Sequence, residues 1–304
     1  MNDGKNSAAR DMIELLRKAA PERTKEIEEA IERTGFHKQA DGPGFEFKNV
    51  FGQVVFSDRS LLQVYLLSFL AWRALRAYSG LIILMLYKQL PFNTAGVAHL
   101  PEQREADAAV DSLAGTLSEL RKAFATIDVP WPKDVPPPAS TRHENVEDQA
   151  AQEISLLALA FIVLHETHHV TLAELGLSTG DWAEENACDA FARDLLLSSA
   201  EEYARSCGDD PDMVRNKRAI AIGLANAIYA EITPKHLWQG SDHPPIADRC
   251  FANYAGWPED RNSSAWVYMA SVLAAQLRRR GVETGDITFG SARELCEKLT
   301  VLLR

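Results

Sequence analysis

The stretch from Ile154 to Glu174, ISLLALAFIVLHETHHVTLAE, restricts this chain more than any other. From Ile154 to Leu164 only Ser155 is polar, and a helix apolar on every side belongs in a protein core. The same helix then presents His165, Glu166 and His169 in the order H-E-x-x-H. Residues four apart lie one turn above each other, so both imidazoles can reach one cation. Glu166 projects about 100° round from His165, which puts its carboxylate beside the cation's open position. Zinc suits two neutral imidazoles and a carboxylate, and a zinc-bound water with a pKa near ~7 is a nucleophile that Glu166 can deprotonate. The competing reading is a pair of hydrogen-bonded core histidines. With 8 His in 304 residues, a chance match to the motif has a probability of roughly 2 in 100, and buried imidazoles need partners that a metal supplies. His168 points about 100° away from His169, so it is expected in solvent or behind the ligands, not on the ion.

A third ligand has to come from elsewhere in the chain. STGDWAEENACDAFARDLLLSS follows after Gly176, a residue suited to ending the first helix. A helix here begins at Ser178 or Asp181. If Asp181 is its N-cap, Glu184 sits three residues on as its capping partner, and Glu185 is left to bind metal. Asp189 lies one turn further along the same face, placed to accept the outer N–H of a ligand histidine. The return from His169 to Glu185 is short, so the two helices must pack together. Later, in GSDHPPIADR, two prolines force an extended backbone at His243 and put Arg249 about a turn into the next helix. An acyl-transfer site needs donors for a developing oxyanion, and His243 and Arg249 are the candidates; the bland alternative is a rigid loop with a surface ion pair.

The remainder fixes the setting. A net charge of -11 argues against nucleic acid as the main partner, and the basic clusters at Arg215 to Arg218 and Arg278 to Arg280 read as solvated helix faces. The N-terminus lacks a secretory pattern, which makes a cytoplasmic location the expectation. Cys188, Cys207, Cys250 and Cys296 are widely spaced and suit free thiols. The apolar segments Leu61 to Leu70 and Leu81 to Tyr87 are split by Arg73, Arg76 and Gly80, and neither reaches the ~20 residues of a membrane span.

The expected fold is mostly α with a small β element (α+β), a zincin-like helical core around the H-E-x-x-H helix. Ser7 to Arg33 reads as two surface helices broken at Pro21, Arg59 to Ala77 and Glu102 to Thr126 as further helices. Phe45 to Ser57 reads as a hairpin about Gly52, either covering the core or offering an edge strand to an extended peptide substrate. VPWPKDVPPPAS, 129–140, is an extended linker by its prolines. It divides an N-terminal region, 1–135 with the hairpin at 44–57, from a catalytic region, 136–304, the two forming one compact unit. The active helix starts at a Thr141/Glu144 capping box or at Asn145. Helices are also expected from Pro211 to Glu231, Trp266 to Arg280 and Ala292 to Leu303.

In order, HETHH, ENACD and DHPPIADR resemble the gluzincin metallopeptidases, in which H-E-x-x-H is completed by a Glu and, four residues later, an Asp. The H-P-x-x-x-x-R element resembles that of the CAAX prenyl peptidases and heat-shock membrane peptidases. With VPWPKDVPPP ahead of the active helix, the chain is similar to the phage-exclusion Lit peptidase family from about Phe45 to Arg249. The resemblance implies zinc on His165, His169 and Glu185, Glu166 as general base, Asp189 behind the ligands, and His243 with Arg249 as substrate or oxyanion contacts. It also implies a phage-defence protease that cuts a host translation factor of the elongation factor Tu type after a phage-derived trigger. Two departures stand out, His168 within the motif and Asp242 before His243, where Asp242 is placed to pair with Arg249. The resulting expectation is a zinc metalloendopeptidase. Its rivals are a non-catalytic zinc-binding sensor, with His168, His243 or Cys188 closing a four-ligand site, and a quality-control peptidase.

Overall fold

The computed structural model describes residues 3–138, 142–240 and 243–304, with the backbone alone for 3–8. Two helices, α1 (Asp3–Ala19) and α2 (Thr24–Glu32), are separated by a single turn at Pro21, whose fixed φ and missing N–H begin a new element. They are not confined to the surface, for Leu16, Ala20 and Ile27 are buried in the central core.

A small sheet follows, made of β1 (Gly35–Lys38), β2 (Phe47–Val50) and β3 (Gln53–Phe56) in the order β1-β3-β2. β2 and β3 form the expected hairpin, pairing antiparallel from Phe47 with Phe56 to Val50 with Gln53. Phe51 and Gly52 turn it with φ of 49° and 76°, the two positive values that a two-residue hairpin loop requires. β1 pairs parallel to β3, leaving β2 with a free edge.

Next come α3 (Asp58–Lys88), α4 (Thr94–Val97), α5 (Pro101–Lys122), α6 (Val146–Glu174), α7 (Trp182–Leu197), α8 (Ala200–Cys207) and α9 (Pro211–Ile232). The chain closes with α10 (Ile246–Asn253), α11 (Ser264–Arg279) and α12 (Ala292–Val301). The mostly helical class with a small β element is borne out. One buried cluster runs from Met12 to Leu303, and α3 packs on both α6 and α11, so a shared core crosses the 135/136 boundary.

The break expected within α3 is corrected. Arg73, Arg76 and Gly80 do not interrupt it: Arg73 turns outward to the Ala109 carbonyl and Asp134, and the two apolar segments form one helix. By length and composition alone α3 and α6 are each sufficient for a membrane span, a test that core helices of soluble proteins also pass.

α6 traverses the interior, and every residue from Ala158 to His165 is buried. Burying Phe161, Ile162, Val163 and Leu164 contributes about 1.5–3 kcal/mol for each side chain. Asn145 caps the helix, accepting the Glu147 and Asp148 N–H groups at 2.8 and 3.1 Å; Thr141 and Asp242 lie outside the described residues. At the other end Gly176 takes φ of 68°, and Leu177 N–H closes on the Leu172 carbonyl at 2.8 Å. This sharp stop turns the chain back so that α7 lies against the last turns of α6.

Candidate active site

His165, Glu166 and His169 come from α6, and Glu185 from the first turn of α7. Ligand atoms of His165, His169 and Glu185 all lie within 4.8 Å of one another, and they are the group among the described residues able to hold a metal ion. His165 Nε2 is 3.5 Å from Glu185 Oε2, His169 Nε2 is 3.3 Å from Oε1, and the two Nε2 atoms are 3.2 Å apart. Zinc bonds of ~2.0–2.1 Å in a tetrahedron put ligand atoms about 3.3 Å apart, so the three residues fit that ion.

The outer nitrogens are engaged. His165 Nδ1 faces Asp189 Oδ1 at 2.8 Å and His169 Nδ1 faces Glu184 Oε1 at 2.6 Å. A carboxylate opposite each Nδ1 puts the proton there and turns the Nε2 lone pair inward. Two lone pairs 3.2 Å apart, with Glu185 beside them, call for positive charge between them. Burial opposes charging His165, but Asp189 and Glu185 outweigh it and lift its pKa to about 9. For His169, burial is again opposed and overcome, here by Glu185 and Glu184, and the value is again about 9. Glu185 stays well below the carboxylate range: burial raises it, and the three imidazoles around it lower it further. Burial raises Glu166 above its ordinary value, the direction that suits a base at neutral pH.

Asp181 is the N-cap of α7, accepting the Ala183 and Glu184 N–H groups at 2.9 and 3.1 Å. Glu184, expected to return that bond, instead takes the Thr179 and Gly180 N–H groups, both at 2.7 Å, together with the Ser178 hydroxyl. Burial notwithstanding, these donors and His169 bring it to about 2. It is therefore the orienting partner of His169, a role its place in the sequence gives no sign of.

Arg249 lies beneath the site. Its Nε and Nη2 grip Asp189 at 2.8 and 2.7 Å, and Nη1 stops 3.6 Å from Glu185 Oε2. The guanidinium is thus spent on Asp189. His243 sits at the rim, its side chain 66% exposed, with Nδ1 3.3 Å from Glu185 Oε1. His168 is brought elsewhere: it stacks on Phe191 with ring centroids 4.2 Å apart. Burial pushes the Cys188 thiol up to about 12, and it is not grouped with His165, His169 and Glu185.

These residues open onto a cavity of about 620 Å³. Phe45, Phe47, Lys48 and Asn49 of the hairpin form one wall, and Tyr229 of α9 lies on another. Tyr229 is not visible as a site residue in the sequence. Its ring lies 6.3 Å from that of His165 and carries the Arg249 guanidinium 4.1 Å from its centroid. Burial holds the phenol well above its ordinary pKa, so it keeps its proton. Among the described residues nothing accepts that proton, an omission that costs about 1–3 kcal/mol.

A 130-residue stretch covering 42% of the chain is 28% identical to the "Cell death peptidase" of Escherichia coli (strain K12). The match spans 41% of that protein's length. No solved structure matches. The Peptidase U49 family matches residues 55–269, more than half of the sequence and inclusive of α6, α7, α9 and α10. The chain belongs to the Peptidase U49 family.

Proposed function

We propose that the protein is a zinc-dependent endopeptidase. The observation that carries this reading is the facing pair of imidazole Nε2 atoms, 3.2 Å apart, each with its other nitrogen committed to a carboxylate and both turned to Glu185. A bound zinc ion supplies Lewis acidity, polarising a carbonyl and acidifying water. Glu166 takes a proton from the attacking water and passes it to the leaving amine nitrogen. Asp189 and Glu184 hold the two imidazoles in one tautomer, and Arg249 fixes Asp189. His243, at the rim, is left to meet substrate. The free edge of β2 offers backbone groups to an extended peptide entering the cavity, which favours a protein substrate over a small molecule.

Three ligands leave a coordination position open, which favours catalysis over the closed four-ligand site of a structural zinc. The H-E-x-x-H base favours it too, since a structural site has no use for Glu166. The resemblance to the phage-exclusion peptidases extends the proposal to a cytoplasmic phage-defence protease that cuts a translation factor of the elongation factor Tu type when a phage product triggers it. The wider kinship with gluzincins and CAAX prenyl peptidases belongs to the same proposal.

The test is to express wild type and Glu166→Gln side by side in a bacterial host and compare new protein N-termini by mass spectrometry. The substitution should leave zinc content unchanged and lower turnover by about 10²–10⁴. One abundant new terminus seen only with wild type names the substrate. Identical termini from two zinc-loaded proteins, with and without phage infection, contradict the enzyme and favour the sensor.

A further inference from the structure

Away from the active site, the first halves of α6 and α9 carry a surface that the fold leaves apolar. Two hollows adjoin there, of about 670 and 360 Å³. Trp72, Leu75, Ile154, Ile220 and Val267 line the larger, and Leu15, Leu156, Leu157 and Val214 the smaller. They share a ridge formed by Met213 and by Glu153, which holds Lys217 at 2.5 Å. Met213 is 58% and Leu156 43% exposed, so neither side chain is spent on the core. Adjoining apolar patches of this kind mark binding surfaces, and an unbranched thioether adapts to what it meets. The rim is acidic. Asp209 borders the smaller hollow, Asp210 and Asp212 the larger, and all three are exposed. Capping α9 accounts for Asp210, whose Oδ1 accepts the Asp212 N–H at 2.9 Å. The neighbouring cations are committed elsewhere, Lys18 to Glu14, Lys217 to Glu153, Arg215 to Glu201 and Arg218 to Glu22, which leaves the three aspartates without a counter-ion among the described residues.

We propose that the two hollows are a docking site for a basic amphipathic helix of another protein. Apolar side chains on one face of that helix fill the hollows, and lysines or arginines along its flanks meet Asp209, Asp210 and Asp212. No strand edge borders the hollows, which lie among α1, α3, α6, α8, α9 and α11. A partner finds no backbone to pair with and must satisfy its own, as a helix does. A second copy of this chain fits less well, because a two-fold pair sets the acidic rim against itself at a net charge of -11 for each chain. Glu153 lies about 18 Å before His165 along α6, so the surface is distinct from the candidate metal site and needs no peptidase activity to work.

The experiment follows the fluorescence anisotropy of a labelled leucine–lysine amphipathic helix of about 18 residues, five turns, as the full chain is added. A peptide of the same composition, with its leucines spread round the helix, is the comparison. Wild type should bind the first and not the second, and more weakly as salt rises. Met213→Asp and Leu156→Asp should each weaken binding about ten- to hundredfold. The direction is diagnostic, because an added carboxylate strengthens a purely electrostatic contact with a cationic peptide and weakens an apolar one. Asp209→Asn combined with Asp212→Asn should weaken it about three- to tenfold. Leu177→Asp, on the exposed turn after α6, should bind as wild type does. Circular dichroism checks that each variant is folded, and the others decide if one is not. No binding by wild type, equal binding of the two peptides, or unchanged affinity in any of the three weakening variants overturns the proposal. So does equal weakening by Leu177→Asp. A dimer in sedimentation velocity that Met213→Asp dissociates gives the surface to a second copy and overturns it as well.

Discussion

Two buried charge clusters flank the end of α9, and they are built on opposite principles. Around Glu231 donors meet acceptors. Arg279 contacts both carboxylate oxygens at 3.2 Å, Arg121 and Arg280 approach at 3.6 and 3.7 Å, and the last two also bind the Glu231 carbonyl at 3.1 and 2.7 Å. The cluster neutralises the negative end of the helix and closes on itself. Two residues earlier, Tyr229 faces the other cluster, where acceptors meet acceptors: two Nε2 lone pairs and the Glu185 carboxylate within 3.5 Å. Such an arrangement is complete only with a cation. The difference separates buried charge that is matched within the fold from buried charge arranged so that it could hold a metal ion.

Glu231 is where this contrast is most open to disproof. Glu231→Ala leaves three arginines without their counter-ion, and stability in urea should fall by about 3 kcal/mol, the low end for broken buried pairs because those side chains keep 15–22% exposure. Zinc content should not change, because none of these groups reaches the ligands. Loss of metal in that variant would mean the clusters are not independent. Asp189→Asn and Glu184→Gln probe the contrast from the other side. Each replaces the anionic partner of one imidazole by a neutral amide and should weaken zinc about 10–100-fold by competition with a chelator, with Asp189→Asn the stronger because Arg249 also loses that counter-charge.

A smaller effect follows from pH. In the metal-free protein protons take the cation's place, and His165 and His169 titrate at about 9 against an ordinary 6.5. Because the folded values are raised, their stabilisation is full below about pH 6.5 and is lost as pH climbs through about 9. The zinc-loaded protein should show the opposite trend, since ligation requires neutral imidazole. Urea midpoints of the two forms near pH 6.5 and near pH 9.5 check this; parallel curves would mean that the histidines do not share one cation.

The parts of this molecule that depend on local spacing are legible in its sequence. H-E-x-x-H on an apolar helix, the Asp181 cap and the hairpin at Phe51 and Gly52 each involve residues a few positions apart. Choosing Glu185 over Glu184 rests on the cap, yet the side chain of Glu184 serves His169 through a loop whose Thr179 and Gly180 amides hold it. β1 escapes notice because four residues carry little periodicity and its parallel partner, β3, lies beyond the intervening strand β2. Arg249 reads as a substrate contact because an acyl-transfer site needs donors for a developing oxyanion, whereas the packing of α10 on α7 buries it against Asp189. Tyr229 is invisible for a similar reason: within the apolar pattern of α9 it is one more core aromatic, and only the crossing with α6 puts it beside His165.

Whether His165, His169 and Glu185 share one ion is decided by metal analysis of purified wild type, Glu185→Ala and Glu184→Ala. One tightly held zinc per chain in wild type, none in Glu185→Ala, and a weakened but present ion in Glu184→Ala is the expected outcome. Zinc retained in full by Glu185→Ala, or absent from wild type after zinc has been supplied, would contradict it.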